Sequence, residues 1–171
     1  MNLYSAQAQV QRQAAALLHG LDETSGRWEE LDGLHLADDK RGDRTSFLLG
    51  GTAGGVALPS QPRCGLFAAA GAGTLFIKNV DAMSDAARHV LVRVVETGHY
   101  TPAGDSYPRM VNCRIITGTA KPLSELAREL VLEWRLADVL GHIALDAEAV
   151  AGALGAERFY RAHPGGLAAA S

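Results

Sequence analysis

Apolar and polar positions along the 171-residue chain recur with two different periods, and each change of period marks an element. Residues 4–20, YSAQAQVQRQAAALLHG, form a helix-favouring run that closes on Gly20. A short strand is expected within 28–36, and residues 43–63, with GGTAGG and PSQPR, read as loop. The unbroken apolar run Leu75-Phe76-Ile77, bounded by Gly73, predicts a strand over 73–78 buried on both faces. Ala87, Val90, Leu91, Val94 and Val95 then recur at helical spacing between Ser84, an N-cap, and Gly98, a helix stop. Residues 99–110 are rich in turn formers. VNCRIITGT, 111–119, reads as a second buried strand, with Ile115 and Ile116 facing opposite sides of a sheet. LSELARELVLEWRLADVL, 123–140, is a long helix or a broken pair, GHIALD (141–146) is a spare apolar segment, and the tail PGGLAAAS reads as frayed.

Strands alternating with helices predict an α/β domain of three layers around a mostly parallel sheet. The composition, 47% hydrophobic and 20% charged, agrees with a soluble globular domain, and a net charge of −3 gives no reason to expect a polyanionic partner. The dense charges of Asp38-Asp39-Lys40-Arg41-Gly42-Asp43-Arg44 read as a solvated loop. Cys64 and Cys113 stand far apart, which argues against a disulfide framework and for a reducing cytoplasm. No apolar run approaches the roughly 20 residues that span a bilayer. The N-terminus MNLYSAQAQVQRQ lacks the charged and apolar regions of a signal peptide.

Candidate chemistry is sparse. His89, His99 and His142 show no helical i, i+4 pairing and no neighbouring ligands, so no metal is expected. There is no G-x-S-x-G elbow. No G-x-x-x-x-G-K-[ST] occurs either, and the glycine clusters at 50–55 and 71–73 lack the lysine and helix start of a phosphate loop.

Three blocks stand out between Gly65 and Ala120: GLFAAAGAGTLFIKNV (65–80), VLVRVVETG (90–98) and HYTPAGDSYPRMVNCRIITGTA (99–120). They resemble GLFE-A-GGTLFLDEI, LLRVLQEG and the insertion ending in VRIIAATN, the pattern of the central AAA+ domain of bacterial sigma-54-dependent transcription activators. Arg93, Gly98, Gly104, Pro108 and Arg114 stand in register with it. More weakly, LLGGTAGGVALP (48–59) lies over the family's LFGHEKGAFTGA, and QRQAAALLH (11–19) resembles the helix that follows its phosphate loop. The resemblance covers about two-thirds of the chain.

It implies a three-layer AAA+ fold like that of P-loop NTPases, but at the family's working positions this chain differs. The acidic pair that holds Mg²⁺ falls on Lys78 and Asn79, and the polar sensor falls on Ala120. A lysine cannot bind Mg²⁺ and an asparagine cannot serve as a carboxylate base, so a pseudo-ATPase without nucleotide cofactor is expected. In the loop that the resemblance would place against sigma-54, the register gives Gly54-Gly55-Val56-Ala57-Leu58-Pro59, without the phenylalanine and threonine of GAFTGA. LEWRLADVLGHIAL resembles the arginine-finger segment, but Arg135 is displaced by about two positions; packing and capping of a helix is the expected role of Trp134 and Arg135. Arg93, Trp134 and Arg135 remain interface candidates.

The domain is expected to occupy 1–145, followed by a short helical extension over 146–171. In that extension AEAVAGALGAERFYRAH faintly resembles half of a Fis-type helix-turn-helix, but a helical cap on the sheet is preferred over DNA binding because basic neighbours are few. The chain starts just after the place of the family's phosphate loop, so the strand leading into it is expected to be missing and the sheet truncated. GHIALD would then pair beside CRIITGT, or the edge at 113–119 would dock a second copy or a partner's strand. The resulting expectation is a non-catalytic module in transcription regulation that binds a protein partner or itself. The alternatives are a nucleotide-binding subunit completed by a partner and a small DNA-binding regulator.

Overall fold

The computed structural model describes residues 1–21, 26–38, 46–51, 63–129 and 131–162. In chain order these form β1 (Asn2–Tyr4), α1 (Ala8–His19), β2 (Trp28–Asp32), α2 (Ser46–Leu49), β3 (Gly50–Gly51) and β4 (Arg63–Cys64). Then come α3 (Leu66–Ala70), β5 (Thr74–Lys78), α4 (Asp85–Thr97), β6 (His99–Tyr100), β7 (Arg109–Met110) and β8 (Arg114–Thr119). The chain continues through α5 (Leu123–Arg128), α6 (Trp134–Gly141), β9 (Ala144–Asp146) and α7 (Ala147–Ala162). Five strands build one sheet in the order β2-β5-β8-β1-β9, every neighbouring pair parallel. Two short antiparallel ribbons, β3-β4 and β6-β7, stand apart from it.

The expected α/β class with a parallel sheet between helices is what the chain forms. The expected gap in the sheet is not there. Residues 2–4, of which Tyr4 is expected in the first helix, form a strand that pairs with β8 on one side and β9 on the other. Tyr4 lies opposite both Thr119 and Asp146. GHIALD therefore does not pair beside CRIITGT, and β8 is no edge: its neighbours are β5 and β1. Asn2 holds the junction, donating from Nδ2 to Thr117 Oγ1 at 3.2 Å and Thr119 Oγ1 at 3.1 Å in a fully buried polar patch. A buried polar group needs such partners to avoid an unmet desolvation cost.

Alternation along the strands divides the core. Leu75 and Ile77 face one side with Leu91, Val94, Leu123, Leu136 and Leu140; Phe76, Ile116 and Leu3 face the other, against Ala14, Ala15 and Ala147. Ile116 is fully buried and Ile115 half-buried on the opposite face. Helix α4 forms where its caps predict: Ser84 Oγ accepts from Ala87 N–H, and Gly98 closes the helix at φ +70°, a conformation that costs glycine little. The segment 123–140 is a broken pair, α5 and α6. The Fis-like stretch is one continuous helix, α7, without a turn at Gly152 or Gly155, and it packs on α1. Cys64 is exposed, while Cys113, just before β8, is half-buried.

Candidate functional site

In an open parallel sheet, ligands bind outside the carboxyl ends of the strands. Here those ends bring together Tyr4, Asp32, Lys78, Thr119 and Asp146. Register sets Asp32 of β2 directly opposite Lys78 of β5. Lys78 Nζ stands 3.2 Å from Asp32 Oδ2, and Asn79 Nδ2 donates to Asp32 Oδ1 at 2.9 Å. Leu34 N–H donates to the same Oδ1 at 3.1 Å. Burial acts to raise the Asp32 pKa, but the donors Asn79, Leu34 and Lys78 together outweigh it and hold the carboxyl below its ordinary value. Asn79 adopts the left-handed conformation at φ 52°, which asparagine tolerates better than most residues and which starts the turn Val80–Ala82. Both residues of the predicted acidic-pair position thus converge on a carboxylate from the neighbouring strand. Ala120 follows β8, exposed, and brings no polar group.

Between β1 and α1 only Ser5, Ala6 and Gln7 intervene. Several of their polar groups are bound within the chain. Ser5 N–H donates to the Thr119 carbonyl at 3.1 Å, and Gln7 N–H donates to Ser5 Oγ at 3.0 Å. Ser5 Oγ donates to Glu148 Oε1, 3.1 Å away at the start of α7. Gln11, only 3% exposed, reaches back from α1, and its Nε2 donates to the Ser5 carbonyl at 2.7 Å and the Thr119 carbonyl at 2.9 Å. Two carbonyl acceptors fix which end of the amide is nitrogen. The amide oxygen lies against Gly118, where a Cβ would stand 2.4 Å from it, so the glycine is what admits the glutamine. Asp146 Oδ1 accepts from Glu148 N–H at 2.8 Å and Ala149 N–H at 3.1 Å, capping α7 at the same end of the sheet.

The interface candidates lie elsewhere, on α4 and α6. Arg135 Nη2 and Nε meet the Glu96 carboxylate at 2.8 and 3.1 Å, which raises the Arg135 pKa. Trp134, expected to pack, is 58% exposed, and Glu133 rather than either candidate occupies the N-cap position. Arg93 is exposed on α4, at the rim of a mostly apolar cavity of about 390 Å³ lined also by Leu49, Val90, Tyr100 and Pro108. The loop Gly54-Gly55-Val56-Ala57-Leu58-Pro59 lies outside the described residues. Among the described residues no group of three or more His, Cys, Asp or Glu could hold a metal ion, and no helix is long and apolar enough to cross a membrane.

Residues 39–144, well over half of the chain, match the family described as the sigma-54 interaction domain. The chain belongs to that family. The phenol regulator MopR of Acinetobacter guillouiae is 32% identical over 69 residues, 40% of this chain and 12% of MopR. The nitric oxide reductase transcription regulator NorR2 of Cupriavidus necator is 34% identical over 84 residues, 49% of this chain and 16% of NorR2. The chain thus spans under a fifth of the curated relatives it matches. Crystal structures of NtrX from Brucella abortus share the fold. One superposes with a TM-score of 0.69, and its ADP complex with 0.67, each at 17% identity and over 85% of this chain. These cover 32% and 31% of the NtrX chain.

In this sigma-54 interaction domain the residues that shape the strand ends are largely ones the sequence reading passed over: Ser5, Gln11, Asp32 and Glu148. One signal was available. Gln11 precedes Ala14 and Ala15 by three and four positions, so it shares their buried face, where a polar side chain must find partners. Asp32 and Glu148 carry no such mark, since only strand register and the docking of α7 bring them in.

Proposed function

We propose that this sigma-54 interaction domain neither binds nor hydrolyses ATP, and that it serves transcription regulation as a protein-interaction module. The observation that carries the reading is the turn at the head of α1. A phosphate cradle needs a glycine-rich run of backbone N–H groups followed by a lysine. Here three residues bridge strand and helix, stitched down by Gln11, with the Glu148 carboxylate bonded to Ser5. A carboxylate there repels a polyphosphate. Lys78 supports the same reading, since a cation paired to Asp32 occupies the position of a metal-binding carboxylate.

Titration calorimetry with ATP and Mg²⁺ tests it. Silence is expected, and micromolar binding, or phosphate release above a buffer control, overturns the proposal. NtrX, crystallised with ADP and with ATP, is a suitable positive control. The domain should also fail to open a sigma-54 promoter complex by itself. Val56 and Ala57 replace the aromatic and hydroxyl side chains expected at that loop, and substituting Phe and Thr should not restore activation while hydrolysis is absent.

A further inference from the structure

The cavity of about 390 Å³ between α2, α4 and the β6-β7 ribbon has no part in the strand-end network. Its wall is largely aliphatic: Leu49 at the end of α2, Val90 and Val94 one turn apart on α4, and Pro108 just before β7. Tyr100, 6% exposed and packed on Phe67 with ring centroids 5.4 Å apart, supplies the aromatic side. A concave apolar space of this size with a few polar groups is the form that small-molecule sites take.

The polar groups at its rim decide what fits. None of the described lining residues is acidic, and Arg93 brings a permanent positive charge. The carboxylate one turn further along α4, Glu96, is already taken by Nε and Nη2 of Arg135. Arg12, Arg88, Arg109 and Arg135 are each held by a carboxylate of their own chain. Arg93 is exposed and has no such partner among the described residues. Thr97 donates its hydroxyl hydrogen to the Arg93 carbonyl at 2.7 Å, and His99 Nδ1 is 2.7 Å from the Thr97 carbonyl. Those two rim side chains are thus tied to the backbone, whereas the guanidinium can turn to a ligand. Apolar walls below a guanidinium are complementary to a carboxylate on an aliphatic chain: the fork takes both oxygens while the chain leaves water. We infer that this cavity binds a medium-chain aliphatic carboxylate, its head on Arg93 and its chain against Leu49, Val90, Val94 and Pro108. Such a ligand joins α2, α4 and the ribbon, which the bond from Ala103 N–H to the Gly50 carbonyl at 3.0 Å also draws together. The site stands apart from the strand ends, so the inference does not depend on how the domain treats ATP.

Octanoate is the probe. Titrated into the isotope-labelled full chain, it should shift the amide signals of residues 90–97 and 99–101 saturably and leave those of α1 and α7 in place. Hexanoate, shorter by two methylenes, should bind about tenfold more weakly. Arg93→Gln should weaken octanoate binding at least about tenfold, and Arg93→Glu should abolish it and admit octylamine instead. Arg93 is exposed, and circular dichroism checks that both variants are folded. The inference is overturned by the lack of a saturable shift, by shifts spread over the whole chain, or by indifference to Arg93→Gln. Octylamine binding to the parent protein as tightly as octanoate would overturn it too. The ATP titration is a separate readout: ATP binding beside octanoate binding defeats the proposed function alone, and silence towards both defeats the cavity alone.

Discussion

The two faces of the sheet are packed on different terms. On the side of α4, α5 and α6, leucines, isoleucine and valines fill the space with full-sized aliphatic side chains. On the side of α1 and α7, only Leu3, Phe76 and Ile116 among the described residues are large and fully buried, and they meet Ala14, Ala15 and Ala147. Alanine lets helix backbones approach closely and contributes little area of its own. That second face also buries Ser5 and Gln11 at its upper end. One face stabilises through area; the other is thin and uses proximity to bring backbone and polar side chains within bonding reach. The turn between β1 and α1 belongs to the thin face, so changes of side chain there can alter the turn without disturbing the larger core.

Phe76→Ala puts the largest strain on this comparison. It removes the largest fully buried side chain of the thin face and should cost about 3–5 kcal/mol by urea unfolding. Amide exchange should rise in α1 and α7 more than in α4. Equal loosening of both faces would show that they behave as one core. Next comes Gln11→Leu, which keeps the volume and removes the bonds to the Ser5 and Thr119 carbonyls. A loss of about 1–3 kcal/mol is expected from unsatisfied buried groups, and a neutral result would mean that the stitch does not hold the turn. On the aliphatic side, Ser84→Ala removes the α4 N-cap and should cost about 1 kcal/mol, with exchange rising only in the first turn of α4.

The smallest effect concerns Asp32. Its carboxyl is held below the ordinary 3.8, so its contribution is fully present above that pH and is lost as the pH falls through the depressed value of the folded state. Asp32→Asn should therefore cost about 0.5–1 kcal/mol near neutrality, the upper range for an ion pair open to water. The gap between variant and parent should close in acid. A gap that stays constant with pH would assign the loss to packing instead.

Much of the fold was legible where signals were local and redundant. Strand β5 announces itself by Leu75-Phe76-Ile77 after Gly73, and α4 by a cap at each end of an apolar stripe. Strand β1 had neither. Three residues carry no usable periodicity, and the alanines and glutamines that follow drew residues 4–7 into the helix. Its strand character comes from neighbours on both sides, β8 and β9, which lie more than a hundred residues away in sequence. Lys78, Asn79 and Ala120 were found because the family pattern marks their places; what they touch was not, because Asp32 meets Lys78 only through the register of β2 on β5. Trp134 fits a helix-packing role in sequence, and its exposure follows from which side of α6 faces α4 and α5.

The two cysteines carry a practical consequence. Burial pushes the Cys113 thiol up to about 11, so at neutral pH it stays protonated and shielded beside β8. Cys64 lies open at the surface on β4. Because the thiolate is the reacting species, a maleimide added under mild conditions should attach a fluorophore or spin label to Cys64 and spare Cys113. The native chain thus supplies a single reporter position on β4 without any engineered residue.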